Sequence, residues 1–437
     1  MQTVATLLTE LVRRGVKLSA QDGRLHCFAR HGQLTPELRD GMFAHKAELL
    51  ALLISRKQPK SPPPGPVAAD GATEFPLSVG QKGLYILQKR NPAITAYNVP
   101  VCFSLDWGTH PETLGRAWNY ILEQFPILTA RIVERDDGLH HRIDDACWTK
   151  LQCQTISLTG DRELASFLRR QANEPFDLTR GPLVRIQLFT RDAQRPILLL
   201  TIHHIIFDGT SAVILLKSFL RIYQELRASK SPRVPKAVNG YREFVAWEQA
   251  MLASAEGAAH GRYWQNQLAG ELAPLGLLPD AGPEDERGGD GNTLVEDLPD
   301  ELGGWIRAYT SRHNLSPSVF FLAALQLLLH RYTGQNDVIA AMPVMGRVGQ
   351  RFADEVGYFI NMVPLRTRFE DGMTIETLLR RVQATMLDGL YHSSYPFPFR
   401  LKRRRAEVVY IDKDHLHLTG ACTPEAQQSM NRDLTNY

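Results

Sequence analysis

The sequence predicts a mixed α/β fold of the α+β kind, with a small N-terminal module, a linker and a larger body. Three observations predict it. Short apolar or alternating runs read as strands, the strongest being ILLLTI at residues 197–202. Longer stretches, such as 114–125 and 317–331, repeat apolar residues over helical lengths. Proline- and glycine-rich stretches at 57–70 and 280–292 punctuate the chain. At 437 residues and 43% hydrophobic content, the chain can bury a full core and holds two or three domains.

Composition narrows the function. A net charge of +3 is too mild for a nucleic-acid partner. Cys27, Cys102, Cys147, Cys153 and Cys422 are scattered without a C-x-x-C pair, which predicts neither a metal site nor a disulfide framework and fits a reducing cytoplasm. The opening MQTVATLLTELVRR lacks the plan of a secretory signal. The longest apolar run, 319–329, is broken by Gln326 and too short to span a bilayer, so a soluble cytoplasmic protein is expected.

In the N-terminal module, Val4, Leu7, Leu8, Leu11 and Val12 repeat at helical spacing, and Gly15 is placed to end that helix. Residues 16–18 and 25–28 read as short strands around Asp22-Gly23, a hairpin signal. Thr35 and Pro36 open a second helix, continued by Leu38, Met42, His45, Leu49 and Leu53 with a break near His45. So few residues make a thin core, and a module of this kind gains from a partner. KQPKSPPPGPVAAD follows as an extended linker, which at about 3 Å per residue spans roughly 40 Å.

In the body, Ser78 is placed to cap an amphipathic helix. Residues 183–189 and 197–202 read as a hairpin leading into two adjacent histidines, His203 and His204. Strand side chains alternate, so these two rings point opposite ways, one toward a cavity and one into packing. Asp208-Gly209 is a turn signal before a helix start. A strand end that presents His and Asp beside a helix start can hold acid–base chemistry rigidly; an ordinary half-buried pair and a plain turn is the bland alternative. Tyr241, Phe244 and Trp247 lie three apart and share a face that reads as core. The polar, glycine-rich 280–292 reads as the loop between two lobes. Ser316-Pro317 opens, and Gly334 stops, a helix apolar nearly all round, which places it in the second lobe's core. Residues 337–342 then read as a strand that PVMGR ends.

His-His-x-x-x-Asp-Gly at 203–209 resembles the signature of the condensation domains of nonribosomal peptide synthetases and their wider acyltransferase superfamily. FPLSVGQKGLYILQ resembles that family's entry motif at Ser78, Gln81, Leu84 and Tyr85, and Tyr241 to Trp247 resembles a later one. Gly357 to Asn361 and His392 to Phe397 resemble two more. The 125–131 stretch departs: Phe125, Pro126 and Thr129 replace family residues, and only Leu128 and Arg131 keep the pattern, which blurs the subtype. Residues 15–53 closely resemble the TubC-type N-terminal docking domains of synthetase subunits.

The resemblance implies a two-lobed, chloramphenicol-acetyltransferase-like condensation fold. It divides the chain into a docking domain at 1–56, a linker at 57–72, lobes at 73–280 and 281–399, and an atypical tail at 400–437. After Phe399 the text no longer resembles the family, and a truncated or frame-shifted product with an incomplete second lobe is expected. The implied reaction joins an acyl thioester on one carrier protein to an amine on another. Both ride on phosphopantetheine arms, and no cofactor or metal is bound. By resemblance His204 accepts or holds the amine's proton, or orients the amine by hydrogen bond; His203 is its structural partner; and Gly209 lets the donor approach closely. Asp208 reads as an ion-pair anchor with Arg347 across the lobe junction. Ser78, Gln81 and Asn361 are supporting residues, Asn361 either at the acceptor channel or capping a turn. The implied partners are upstream and downstream carriers and the C-terminal segment of an upstream subunit, taken up by the hairpin strand Leu25, His26, Cys27 and Phe28, whose unpaired edge is a template for an added strand. Self-pairing of the module into a homodimer, a free-standing acyltransferase using a CoA thioester, and an inactive fragment that only docks are the alternatives. Neither substrate, nor the type of upstream synthetase, is written in the chain.

Overall fold

The computed structural model describes residues 16–21, 24–28, 34–44, 46, 73–106, 108–158, 160–191, 194–233, 240–277, 296–347 and 350–397. The expected first helix at 4–12, the linker, the 280–292 loop and the tail lie outside the described residues. In the N-terminal module, β1 (Lys17–Gln21) and β2 (Arg24–Phe28) pair antiparallel with Gln21 opposite Arg24. The hairpin edge residues Leu25 to Phe28 thus form one strand, joined among the described residues only to β1. Helix α1 (Pro36–Ala44) starts where Thr35-Pro36 predicts it, and buries Leu38 and Met42 one turn apart.

Two sheets build the first lobe. One has the order β3 (Glu74–Pro76), β6 (Gly138–Ile143), β5 (Ala130–Arg135). The other has the order β4 (Asn98–Ser104), β9 (Gln194–His203), β8 (Val184–Arg191), β7 (Gln152–Thr155). Strand β9 is flanked on both sides and covered on both faces, which is why its run is apolar throughout rather than alternating. Period-two geometry still sorts it. Leu198, Leu200 and Ile202 join the main core, whereas Ile197 and Leu199 join a second cluster with Phe189. Helix α2 (Val79–Arg90) lies against the turn that follows β9. Helix α3 (Pro111–Gln124) packs on α5 (Gly209–Arg227), with Trp118 edge-on to Phe219; α4 (Asp161–Ala172) covers the outer cluster.

Helices α6 (Gly240–Ala253) and α7 (Ala255–Gln267) lead to the second lobe. The expected aromatic stripe on α6 is core: Tyr241, Phe244 and Trp247 are buried, and Phe359 of the second lobe packs against the first two. That lobe contains α8 (Asp300–His313), α9 (Pro317–Thr333), the antiparallel pair β10 (Asp337–Met345) and β11 (Ile360–Arg368), and α10 (Ile375–Tyr391).

Two expectations are corrected here. Strand β10 runs to Met345, three residues past the predicted end: Pro343 sits opposite Met362, and among the described residues β10 pairs only with β11, the kind of edge strand that tolerates proline. Helix α9 is not sunk in the core all round. Val319, Ala323, Gln326 and Leu329 form its buried stripe, while Phe321, Leu328 and Tyr332 are exposed. Gln326, which interrupts the apolar run, is on the buried side: it donates to Leu365 O at 2.9 Å and accepts from Thr367 Oγ1 at 2.8 Å, tying the helix to β11. Among the described residues no helix is long and apolar enough to cross a membrane.

The lobe junction carries two carboxyls with raised pKa, Glu248 buried and Glu355 half-buried. Glu248 on α6 accepts the Val79 N–H at 2.8 Å, and burial pushes its carboxyl from 4.5 up to about 7. Burial, then the neighbouring Glu243 and Asp354, push Glu355 up to about 7 as well. Between the ordinary value and 7, the folded state keeps protons that the unfolded chain has released. Stability should therefore be fully present below about pH 4.5 and fall as pH rises to about 7. Urea midpoints from pH 5 to 7.5 should show this slope flattened in Glu248→Gln; an unchanged slope would remove Glu248 as its source.

Candidate active site

The site is built where β9 runs out. Strand geometry turns His203 inward and leaves it completely buried. Its Nδ1 accepts the Ile205 N–H at 3.1 Å, so Nε2 carries the proton and donates to Gln88 Oε1 at 3.3 Å. Burial, and then the neighbouring His204 and Arg185 charges, lower its pKa to about 3. A ring so placed is neutral and turned into the packing.

His204 opens a short 3-10 turn, 204–206, and is only half-buried. Its backbone N–H donates to Tyr97 O at 2.7 Å, anchoring the turn to the entry of β4. Its Nδ1 lies 2.6 Å from Phe207 O. A carbonyl only accepts, so Nδ1 bears a proton, and in the neutral ring Nε2 keeps its lone pair. Tyr358 of the second lobe meets the ring edge-on, with centroids 5.4 Å apart.

Asp208 is the N-cap of α5 and accepts the Ser211 N–H at 2.7 Å. The same carboxylate takes a two-pronged bond from Arg347, Nη1 to Oδ2 at 2.8 Å and Nη2 to Oδ1 at 3.0 Å, and accepts the Phe359 N–H at 3.1 Å. Arg347 also donates to Ser211 Oγ and to Glu355 O, and its guanidinium lies 4.2 Å from the centre of the Phe359 ring. With all these bonds made, both oxygens of Asp208 are occupied, and the carboxylate bridges the cap of α5 to Arg347 and the Phe359 N–H. Gly209, the first residue of α5, faces open space: a Cβ there would meet nothing within 4 Å. Gly209→Ala should leave folding and turnover intact, whereas Gly209→Trp should fold yet lose most turnover by filling the approach; a Trp variant of normal rate would show that nothing approaches there.

Ser78 and Gln81 stand one shell behind. Ser78 caps α2 in a reciprocal box: Gln81 N–H donates to its Oγ at 3.3 Å, and its own N–H donates to Gln81 Oε1 at 2.9 Å. Gln81 Nε2 donates to Ile205 O at 2.6 Å, next to His204. Tyr241 OH donates to Tyr358 O at 2.8 Å, which leaves it to accept from Ser78 Oγ at 3.1 Å. Asn361 is fully committed: Nδ2 donates to Ser393 O and Tyr395 O, and Oδ1 accepts from Met362 and Phe397 N–H. It ties β11 to residues 393–397. It lines a cavity of about 30 Å³ with Ser78, Glu248 and Tyr358, room for a water or two. Sequence reasoning missed Gln88, His141 and Tyr358, whose roles depend on contacts across elements distant in the chain. No group of His, Cys, Asp and Glu among the described residues could hold a metal ion.

Residues 72–405 match the family described as "Condensation domain". The chain belongs to the condensation-domain family. Residues 4–54 match the TubC N-terminal docking domain. The chain is 37% identical over 327 residues to polyketide synthase PksN of Bacillus subtilis, covering 74% of this chain and 6% of that protein. It is 24% identical over 401 residues to bacitracin synthase 2 of Bacillus licheniformis, covering 90% and 15%. The chain thus spans a small part of these relatives' length. Among solved structures it is similar to the first condensation domain of the calcium-dependent antibiotic synthetase bound to a substrate analogue, with a TM-score of 0.61, 24% identity and coverage of 74% and 76%. It is also similar to the condensation domain of the monacolin K polyketide synthase MokA, with a TM-score of 0.62, 20% identity and coverage of 76% of both chains. These likenesses give the two-lobed condensation fold.

Proposed function

We propose that this condensation domain forms an amide between an acyl thioester and an amine, each delivered on the phosphopantetheine arm of a separate carrier protein. The observation that carries the reading is the geometry of His204: half-buried, with Nδ1–H tied to Phe207 O, so that in the neutral ring Nε2 keeps its lone pair. The amine nitrogen attacks the thioester carbon, the C–S bond breaks, and the thiolate leaves. His204 Nε2 takes the proton that the nitrogen sheds and returns it to the thiolate, giving amide and thiol. A thioester is already reactive, so orientation of the amine by the same nitrogen supplies a further share of the rate. Asp208 and Arg347 hold the turn and the second lobe in register. The N-terminal module, by its match to TubC docking domains, takes up the C-terminal segment of an upstream synthetase subunit along the edge of β2.

The test is reconstitution. The full chain is mixed with an acyl-loaded carrier and an aminoacyl-loaded carrier, and mass spectrometry follows the downstream arm. Amide on that arm supports the reading. Product made only from a CoA thioester and a free amine would replace it with a free-standing acyltransferase, and no product from either would leave docking as the chain's function.

A further inference from the structure

Buried on β6, outside every motif that marks the family, is His141. The ring is completely buried, tilted against Phe75 with centroids 4.8 Å apart and edge-on to Tyr241 at 6.0 Å. Its Nε2 lies 3.0 Å from Gln81 Oε1. The orientation of that amide is fixed at both ends: Oε1 accepts from the Ser78 N–H, which only donates, and Nε2 donates to the Ile205 carbonyl, which only accepts. The histidine must therefore donate to Gln81, so its proton sits on Nε2. His204 has the opposite tautomer, with its proton on Nδ1. A chain of hydrogen bonds runs from His141 through Gln81 to Ile205, and Ile205 follows His204 in the same turn.

We propose that His141 is a positioning residue for the proposed reaction. By donating to Gln81 Oε1, it locks the amide that grips Ile205 O, and so fixes the turn in which His204 Nδ1 can bond Phe207 O and Nε2 can face the amine. The inference rests on the reading of His204 given above, but its structural half stands without it. Burial holds His141 neutral, its pKa lowered to about 3, so the donor state persists at any working pH. With the His141 donor gone, Gln81 Oε1 keeps one partner instead of two, its plane loosens, and so does the turn beyond it.

The full chain labelled with ring ¹⁵N-histidine reports the tautomers directly. Wild type should show His204 protonated on Nδ1 and His141 on Nε2. In His141→Leu, the His204 signals should move toward a mixture of both tautomers. Single-turnover amide formation should fall about tenfold at saturating carriers, with half-saturation unchanged. His141→Gln, which can still donate, should recover most of both. Should His141→Leu fail to fold, Gln81→Met, which removes both the acceptor for His141 and the donor to Ile205 O without adding a charge, should produce the same His204 signature. Unchanged His204 signals in a folded His141→Leu or Gln81→Met protein would overturn the relay. Absence of amide formation in wild type would overturn the proposed reaction alone, since the tautomer signature reads the relay independently.

Discussion

His204→Ala should reduce amide formation between loaded carriers by about 10²- to 10⁴-fold, the range for loss of a positioned general base. Its thermal melt should stay close to that of wild type, because the half-buried ring contributes one local bond and one edge contact to the fold. The size of the fall separates two roles. A loss near the upper end means that Nε2 moves a proton, whereas a loss under about tenfold means that orientation supplies nearly all of its effect. His203→Ala is the matched control for stability. That ring bonds Ile205 N–H and Gln88 in a fully buried position, so its removal should lower the melting temperature clearly. Rapid-quench assays at equal carrier loading, with melts on the same samples, check both. A His204→Ala enzyme of normal rate would take the imidazole out of the chemistry.

Much of this site is legible in residue order because its parts are local. Two histidines at the end of an apolar run, just ahead of a helix cap, imply that one ring turns into packing and the other away from it; the structure buries His203 and half-buries His204, although β9 ends at His203 and His204 already belongs to the turn. The Asp208–Arg347 pair spans 139 residues and comes from resemblance to a motif, not from spacing. The relay behind the site is not legible. His141 sits in GLHHRI, where alternation alone does not say which of two histidines turns inward, and Gln81 reads locally as a helix-capping residue. Its second bond, to a carbonyl 124 residues away, exists only after the first lobe closes. The same limit explains α9: an all-apolar helix can be enclosed or can cover one side of a sheet, and only the packing partners decide. Strand β10 reads short because proline is a breaker by default, and its tolerance on an edge depends on the pairing pattern.

Arg347→Ala should cost about 3–5 kcal/mol of stability, since it leaves the Asp208 carboxylate buried and without its partner. The side chains of Asp208 and Arg347 are 1% and 7% exposed, so water cannot take over the lost bonds. The guanidinium fork also reaches Ser211 Oγ and Glu355 O, so Arg347→Lys should recover only part of the loss: an ammonium cannot make two parallel bonds to the carboxylate while reaching both other acceptors. Removing the buried charge as well should help. Asp208→Asn combined with Arg347→Leu should be more stable than Arg347→Leu alone, because an amide without a partner is cheaper to bury than a carboxylate. The double-mutant cycle, measured by urea unfolding, isolates the pair. A coupling near zero would mean that the α6 aromatic core and the Asn361 tie hold the lobes without it, and that the Asp of the His-His-x-x-x-Asp-Gly signature acts only as a helix cap. A large coupling, with activity falling in step with the lost lobe contact while the His204 ring keeps its tautomer, would place the function of this aspartate in joining the two lobes.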